Sequence, residues 1–79
     1  MAEIWNYETI KELLYAPGLG HYFTYGLLAA RKINSVWEPI EFIRDVTTDY
    51  LLVKKMEELF NRYQLYPIHL RDAIEDMLP

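Results

Sequence analysis

The first half of the chain consists of stretches rich in aromatic and apolar residues that are separated by turn residues. Residues 5–16 and 21–32 contain many strand-forming side chains. Between them, residues 17–20 read Pro-Gly-Leu-Gly and predict a turn. A third stretch covers residues 36–46, after a second turn candidate at residues 34–35. Because the connections are short, the pattern predicts an antiparallel meander of about three strands.

The first stretch is compatible with two structures. Ile10, Leu13 and Leu14 lie at helical spacing, and residues 11–14 are good helix formers. The aromatic residues of the same stretch favour a strand. We therefore expect residues 6–16 to form a strand and keep a short helix as the alternative.

The second half of the chain changes to a helical period. The apolar positions of a first helix are Leu52, Met56, Leu59, Phe60 and Tyr63, and those of a second are Leu70, Ile74, Met77 and Leu78. Thr47 or Thr48 is suited to cap the first helix, with Asp49 in its first turn. The first helix is expected to end before Pro67, because proline disfavours helical geometry in the residue that precedes it. Pro67 is suited to the first position of the second helix.

Together these elements predict an α+β fold in a single domain over residues 1–79. A small antiparallel sheet is followed by a C-terminal two-helix hairpin, which we expect to pack on one face of the sheet. The hydrophobic fraction of 52% is sufficient for a core in a chain of this length.

Charge and composition narrow the classes of function. The chain has 8 Lys and Arg against 12 Asp and Glu, a net charge of −4, which disfavours binding to nucleic acid. The absence of cysteine excludes disulfides and thiolate chemistry. No apolar run approaches the roughly 18 residues that cross a bilayer, and the chain does not open with a secretory signal. We therefore expect a cytoplasmic protein that does not bind membranes.

Four segments of the chain carry a resemblance to known proteins. They are Thr24-Tyr25-Gly26-Leu27, residues 43–49 (Ile-Arg-Asp-Val-Thr-Thr-Asp), Phe60-Asn61, and residues 65–76 (Leu-Tyr-Pro-Ile-His-Leu-Arg-Asp-Ala-Ile-Glu-Asp). In this order they resemble a family of short proteins of unknown function found mainly in Firmicutes. The chain departs from the family pattern at Tyr66, where the family has a Ser able to cap a helix. The resemblance implies a bacterial cytoplasmic protein and brings no activity.

One polar face is a candidate for chemistry. His69, Asp72 and Asp76 lie at positions i, i+3 and i+7 of the last helix, so an imidazole and two carboxylates can share one side. This arrangement is compatible with a metal site or acid–base chemistry. Because all three groups come from one helix, a solvated polar face is the commoner interpretation. We predict no catalytic residue, no metal site and no cofactor.

The aromatic residues give the strongest indication of function. Seven Tyr, three Phe and two Trp provide more ring surface than a small protomer is expected to bury. The candidates for an exposed aromatic sheet face are Trp5, Tyr7, Tyr22, Tyr25 and Trp37. Because exposed Trp and Tyr mark protein interfaces, we expect a non-catalytic interaction or regulatory module that forms a homo-oligomer. The alternatives are an acidic antitoxin-like or inhibitor protein that covers a basic partner, and a small-ligand-binding protein.

Overall fold

The computed structural model describes residues 4–79 and shows one sheet followed by helices. The strands are β1 (Ile4–Ala16), β2 (Gly20–Ile33) and β3 (Val36–Thr47), and the helices are α1 (Tyr50–Arg62) and α2 (Leu70–Met77), the latter preceded by a 3-10 turn (Pro67–His69). The strands pair antiparallel in the order β1-β2-β3, which confirms the predicted α+β fold. Residues 6–16 form a strand and not a helix. No helix between residues 4 and 79 is long and apolar enough to cross a bilayer.

Two tight turns return the chain alongside itself. The β1–β2 register is uninterrupted along both strands. Gly18 and Gly20, at the turn between them, have φ values of 83° and 81°, which residues with a Cβ rarely adopt. Between β2 and β3, Asn34 and Ser35 have φ values of 50° and 68°, the two positive values of a type I′ hairpin turn.

The β1–β2 hairpin is longer than the elements that cover it. β3 pairs with β2 only from Ile33 to Tyr25, and α1 has 13 residues, as many as β1. A helix rises about 1.5 Å per residue and a strand about 3.3 Å, so α1 spans less than half the length of β1. Residues 13–23 therefore project beyond the ladder with β3 as a two-stranded ribbon, called the projecting ribbon below. The whole molecule measures 50 × 24 × 18 Å.

The helices cover the sheet face that carries the odd-numbered residues of β1 and β2. The core consists of Trp5, Tyr7, Leu27, Ala29, Val53, Met56, Phe60, Leu70 and Ile74. At its centre the rings of Tyr7 and Phe60 meet edge to face, with centroids 5.7 Å apart. Arg71 of α2 forms an ion pair with Glu41 of β3 at 3.4 Å. A side chain of α2 therefore reaches β3.

The cap of α1 differs from the prediction. Asp49 is the N-cap, because its Oδ1 accepts a hydrogen bond from Leu52 N at 3.2 Å. Its backbone is extended, which aims the carboxylate at the first turn of the helix. The prediction of Thr47 or Thr48 as the cap is therefore wrong. Thr47 instead supports the cap residue, since its Oγ1 accepts from the N–H of Asp49 at 3.0 Å.

The apolar stripe of α1 also differs from the prediction. Val53, which the predicted stripe omits, is fully buried, whereas Tyr63 is exposed. The helix ends at Arg62, so Tyr63 is its C-cap and no longer follows the helical period. The buried side of α1 is formed by Val53, Met56 and Phe60.

Candidate functional site

Two surfaces are available for contacts with other molecules, and the first is the sheet face opposite the helices. The even-numbered residues of β1 and β2 lie on this face, and Leu28 and Lys32 are paired there with Phe42 and Trp37 of β3. We call it the helix-free face. Its exposed apolar members are Ile4, Trp37 and Phe42, and its half-buried ones are Ile10, Leu14, Tyr22, Leu28 and Ala30.

Polar groups lie among the apolar residues of the helix-free face. Arg44 donates two hydrogen bonds to the carboxylate of Glu12, at 3.0 and 2.8 Å. The hydrogen bond and the negative charge of Glu12 raise the pKa of Arg44 further above its usual value. Lys32 Nζ lies 5.8 Å from the ring centroid of Trp37. The face therefore combines exposed apolar side chains with charged groups, as protein interfaces do.

A bulge in β3 shapes one end of this face. Asp45 has a φ of 51°, and the β2–β3 register shifts beside it. The hydroxyl of the buried Thr24 donates to Asp45 Oδ1 at 2.7 Å, and the Tyr22 hydroxyl donates to Oδ2 at 3.3 Å. Partial burial, the charge of Asp45 and this hydrogen bond raise the pKa of Tyr22. The two hydroxyls hold the bulge in place.

Gly26 allows β3 to approach β2 closely at the bulge. A Cβ at this position would overlap the carbonyl oxygen of Ile43 and lie 2.9 Å from Cε1 of Phe42. Only glycine fits without displacing the neighbouring strand. The position of Phe42 on the helix-free face therefore depends on Gly26.

The second surface is the outer edge of β1, and side chains from the helical half of the chain cap part of it. Trp5 N–H donates to Gln64 Oε1 at 2.9 Å, and Gln64 Nε2 donates to the Trp5 carbonyl at 3.0 Å. Asn61 binds the backbone of Tyr7 in the same way, at 2.7 and 2.9 Å. Each amide side chain pairs with β1 as a neighbouring strand would, which protects the edge.

Glu57 provides the third cap of this edge. Its Oε1 accepts a hydrogen bond from Thr9 N–H at 2.7 Å, and its Oε2 accepts one from Lys54 Nζ at 2.6 Å. Burial alone would raise the pKa of Glu57, but the hydrogen bonds from Lys54 and Thr9, with the charge of Lys54, lower it. The carboxylate is therefore ionised at neutral pH, when it is purely an acceptor.

Beyond Thr9, the outer edge of β1 is open. Strand residues direct their backbone groups alternately to the two sides, so Lys11, Leu13 and Tyr15 point theirs outward, as the capped residues do. No side chain of residues 4–79 forms a hydrogen bond with these backbone groups. We call residues 10–16 the open edge. Residues 13–16 of it lie within the projecting ribbon.

The projecting ribbon also exposes apolar side chains. Leu13 and Phe23 are cross-strand partners on the helix side of the sheet, and they are 56% and 55% exposed because no helix reaches them. Lys11 Nζ lies 4.2 Å from the centroid of the Phe23 ring. The rings of Tyr15 and His21 are in contact, with centroids 5.2 Å apart. The ribbon therefore combines open backbone groups with apolar surface.

The structure divides the five aromatic residues that the sequence groups together. Trp5 and Tyr7 belong to the core, with Tyr7 only 1% exposed, so they do not form part of an exposed face. Tyr25 lies on the helix side and packs against the ring of Tyr50 at 5.3 Å. Tyr22 and Trp37 remain on the helix-free face, where Trp37 is 46% exposed.

The aromatic interpretation missed Phe42, which is 38% exposed on the same face. Its signal was its alternation with Glu41 and Ile43 along β3. Side chains of a strand alternate between its two faces, so this pattern shows that Phe42 lies on the face opposite to Glu41 and Ile43. It does not show which face the helices cover.

The polar residues predicted on the last helix do not form a compact site. His69 lies in the 3-10 turn, Asp72 and Asp76 lie in α2, and all three are exposed. Within residues 4–79 there is no group of three or more His, Cys, Asp or Glu side chains that could hold a metal ion.

The residues that carry the family resemblance have roles in the fold. Thr24 and Asp45 secure the β3 bulge, and Gly26 permits the close approach of β3. Asp49 caps α1, and Asn61 caps the edge of β1. Three of the four segments therefore contribute contacts that hold the fold together.

Comparison with known proteins gives a family without an assigned activity. A family model described as Family of unknown function (DUF6514) matches residues 2–79. No curated protein and no solved structure is significantly similar to the chain. The function therefore has to be inferred from the geometry of the two surfaces.

Proposed function

The chain belongs to this family of unknown function, and we propose that it is a non-catalytic protein-interaction module that self-associates through its helix-free face. The exposure of Trp37 and Phe42, two aromatic residues of β3 on one face of the sheet, is the observation that carries the proposal. Large aromatic side chains that stay exposed in a chain of 79 residues favour association, because burial of their surface is the main source of binding energy.

The arrangement of the face supports a protein as the partner. The half-buried side chains of Leu28 and Ile10 extend the apolar area beyond Trp37 and Phe42. The Glu12–Arg44 ion pair crosses the face and provides a polar contact with a defined orientation. A second copy offers the same apolar and charged groups, so two faces can meet as a symmetric, self-complementary contact.

The test is a double variant, Trp37→Glu with Phe42→Glu. Both side chains are exposed, so the charges can be accommodated in the folded chain but not in an apolar contact. By sedimentation velocity, the wild type should have a weight-average mass above 9.5 kDa that rises with concentration. The double variant should have a lower mass at every concentration.

A matched control places the same two charges elsewhere. Leu51→Glu with Tyr63→Glu changes two exposed apolar residues at the ends of α1, outside the helix-free face. This control should sediment like the wild type. Equal masses for the wild type and the Trp37/Phe42 variant would contradict the proposal.

A second candidate is an acidic antitoxin-like or inhibitor protein that covers a basic partner. Asp72, Glu75 and Asp76 are exposed on α2, and none of them forms an ion pair within residues 4–79. For this candidate, a specific basic protein should co-purify with the chain at low salt and be released at high salt. Replacing the three carboxylates by amides should abolish this capture.

A further inference from the structure

We propose that the open edge of β1 pairs with the open edge of a second copy. The two segments run antiparallel and are centred on Leu13, so that two three-stranded sheets join into one sheet of six strands. This contact goes beyond the proposed function, because it uses backbone groups of the projecting ribbon and not the helix-free face. The edge contact does not depend on which protein binds the helix-free face.

The limits of the open edge are compatible with a second copy as its partner. On one side Glu57 occupies the N–H of Thr9, and on the other Pro17 has no N–H to donate. The open edge between them, residues 10–16, has Leu13 at its midpoint. A two-fold axis through Leu13 places this segment on itself, so an antiparallel copy reaches every free position.

The backbone directions agree with this register. When Leu13 lies opposite Leu13 of the second copy, Lys11 lies opposite Tyr15. These are the residues whose N–H and C=O groups point outward, and they form the hydrogen-bonded pairs that an antiparallel ladder requires. The ammonium of Lys11 then lies beside a tyrosine ring, where a cation is favourable.

Neighbouring registers are less favourable. A shift that centres the contact on Glu12 places two carboxylates directly opposite each other, which is destabilising. The opposite shift, centred on Leu14, places Lys11 opposite Pro17, which lacks a donor. The register centred on Leu13 avoids both conflicts.

The exposed side chains of the ribbon support the same contact. A two-stranded ribbon is marginally stable in water. Pairing through the open edge converts β1 from an edge strand into a central one. It also brings Leu13, Tyr15 and Phe23 of both copies together on one face of the joined sheet, where their exposed apolar area decreases.

The first test compares Leu13→Pro with Leu13→Ala in the Trp37→Glu/Phe42→Glu background, where contact through the helix-free face is removed. Both substitutions delete the leucine side chain, but only proline removes the outward N–H, and its ring does not disturb pairing with β2. We expect the background and its Leu13→Ala form to sediment as dimers. The Leu13→Pro form should dissociate with a constant about a hundredfold higher, because two hydrogen bonds are lost. Equal dissociation constants for the two Leu13 forms would overturn the proposal.

The second test does not depend on tolerance of proline. The chain has no cysteine, and hydrogen-bonded antiparallel partners have Cα atoms about 5.5 Å apart, within the range of a disulfide. Mild oxidation of the Leu13→Cys variant should therefore give more disulfide-linked dimer than the same treatment of a variant with its cysteine outside the contact. Leu19→Cys, an exposed position in the turn, is the control and should remain mostly monomeric. Equal yields at the two positions would contradict the register.

The two proposals fail in different ways. If the Trp37/Phe42 variant is monomeric and Leu13→Cys does not cross-link, the helix-free face is the contact and the edge proposal is wrong. If the Trp37/Phe42 variant keeps the wild-type mass and Leu13→Cys cross-links, the edge is the contact and the face proposal is wrong.

Discussion

Asn61 is a single side chain that satisfies both backbone groups of an edge residue, Tyr7. Replacing Asn61 by Ala leaves an N–H and a carbonyl of β1 without these partners beside the core. We expect a loss of about 1–3 kcal/mol in the free energy of unfolding, measured by urea denaturation.

Two variants make the measurement on Asn61 specific. Asn61→Asp keeps an acceptor for the Tyr7 N–H but places a carboxylate oxygen against the Tyr7 carbonyl in place of the donor, so it should also be destabilising. Glu58→Ala removes an exposed ion pair with Arg62 on the same helix, and this should change the stability by less than about 1 kcal/mol. If Asn61→Ala were no more destabilising than Glu58→Ala, the capping role of Asn61 would be disproved.

The ionisation of the buried Tyr7 phenol makes the stability of the fold depend on pH in the alkaline range. Burial and, secondly, the negative charge of Glu41 raise the pKa of Tyr7 to about 12. The native state therefore favours the neutral phenol, which donates a hydrogen bond to the Leu65 carbonyl. This contribution is complete below the unfolded-state pKa of about 10, and it is lost as the pH rises towards 12.

The expected result is a fall in stability of about 2–3 kcal/mol between pH 10 and pH 12 that is due to Tyr7. Tyr7→Phe should be less stable at neutral pH, because the Leu65 carbonyl loses its donor. Its stability should fall less steeply above pH 10. Parallel curves for the wild type and Tyr7→Phe in chemical denaturation at each pH would show that Tyr7 does not titrate with folding.

At the scale of elements, β1 is divided by the length of the helix beside it. Because α1 is short, its side chains Asn61 and Glu57 bind the backbone of only Tyr7 and Thr9. Gln64, which follows the helix, binds the backbone of Trp5. The remaining half of the strand keeps an open edge. Natural sheets commonly protect such edges, so an edge that is protected over one half and open over the other is a specific feature of this fold.

The elements could be predicted from the sequence because their signals are local. Strand-forming residues, turn residues and the helical period of residues 50–62 lie within a few positions of each other. The capping contacts could not be predicted in this way. Glu57, Asn61 and Gln64 contact residues 48, 54 and 59 positions away, and no local pattern encodes such pairs.

Local sequence patterns also do not show which face of the sheet the helices cover. Both faces of β2 are apolar, so the pattern does not show whether Tyr25 and Leu27 or Tyr22 and Leu28 meet the helices. The sequence pattern therefore places Trp5 and Tyr7 on an exposed face, although they form the core, and it does not identify Phe42 as exposed. The choice is made by the helices, whose apolar stripes bury one face and leave the other open.

At the scale of the whole molecule, two surfaces are arranged for contact. The helix-free face carries Trp37 and Phe42, and the open edge extends into the projecting ribbon, beyond the reach of the helices. The 50 Å length of the molecule results from this ribbon. Edge pairing leaves the helix-free faces of the two copies on the same side of one continuous sheet. Contact through these faces then requires a second joined pair, so the two contacts together give an assembly of four copies.

The most direct test of self-association is amide hydrogen exchange of the wild-type chain at two concentrations, one far below and one far above the association range. The amides of Trp5, Tyr7 and Thr9 should be protected at both, because side chains of the same molecule cap them. The amides of Lys11 and Leu13 should exchange freely in the dilute sample and become protected in the concentrated one. Identical exchange of Lys11 and Leu13 at both concentrations, with no increase in sedimented mass, would contradict the account.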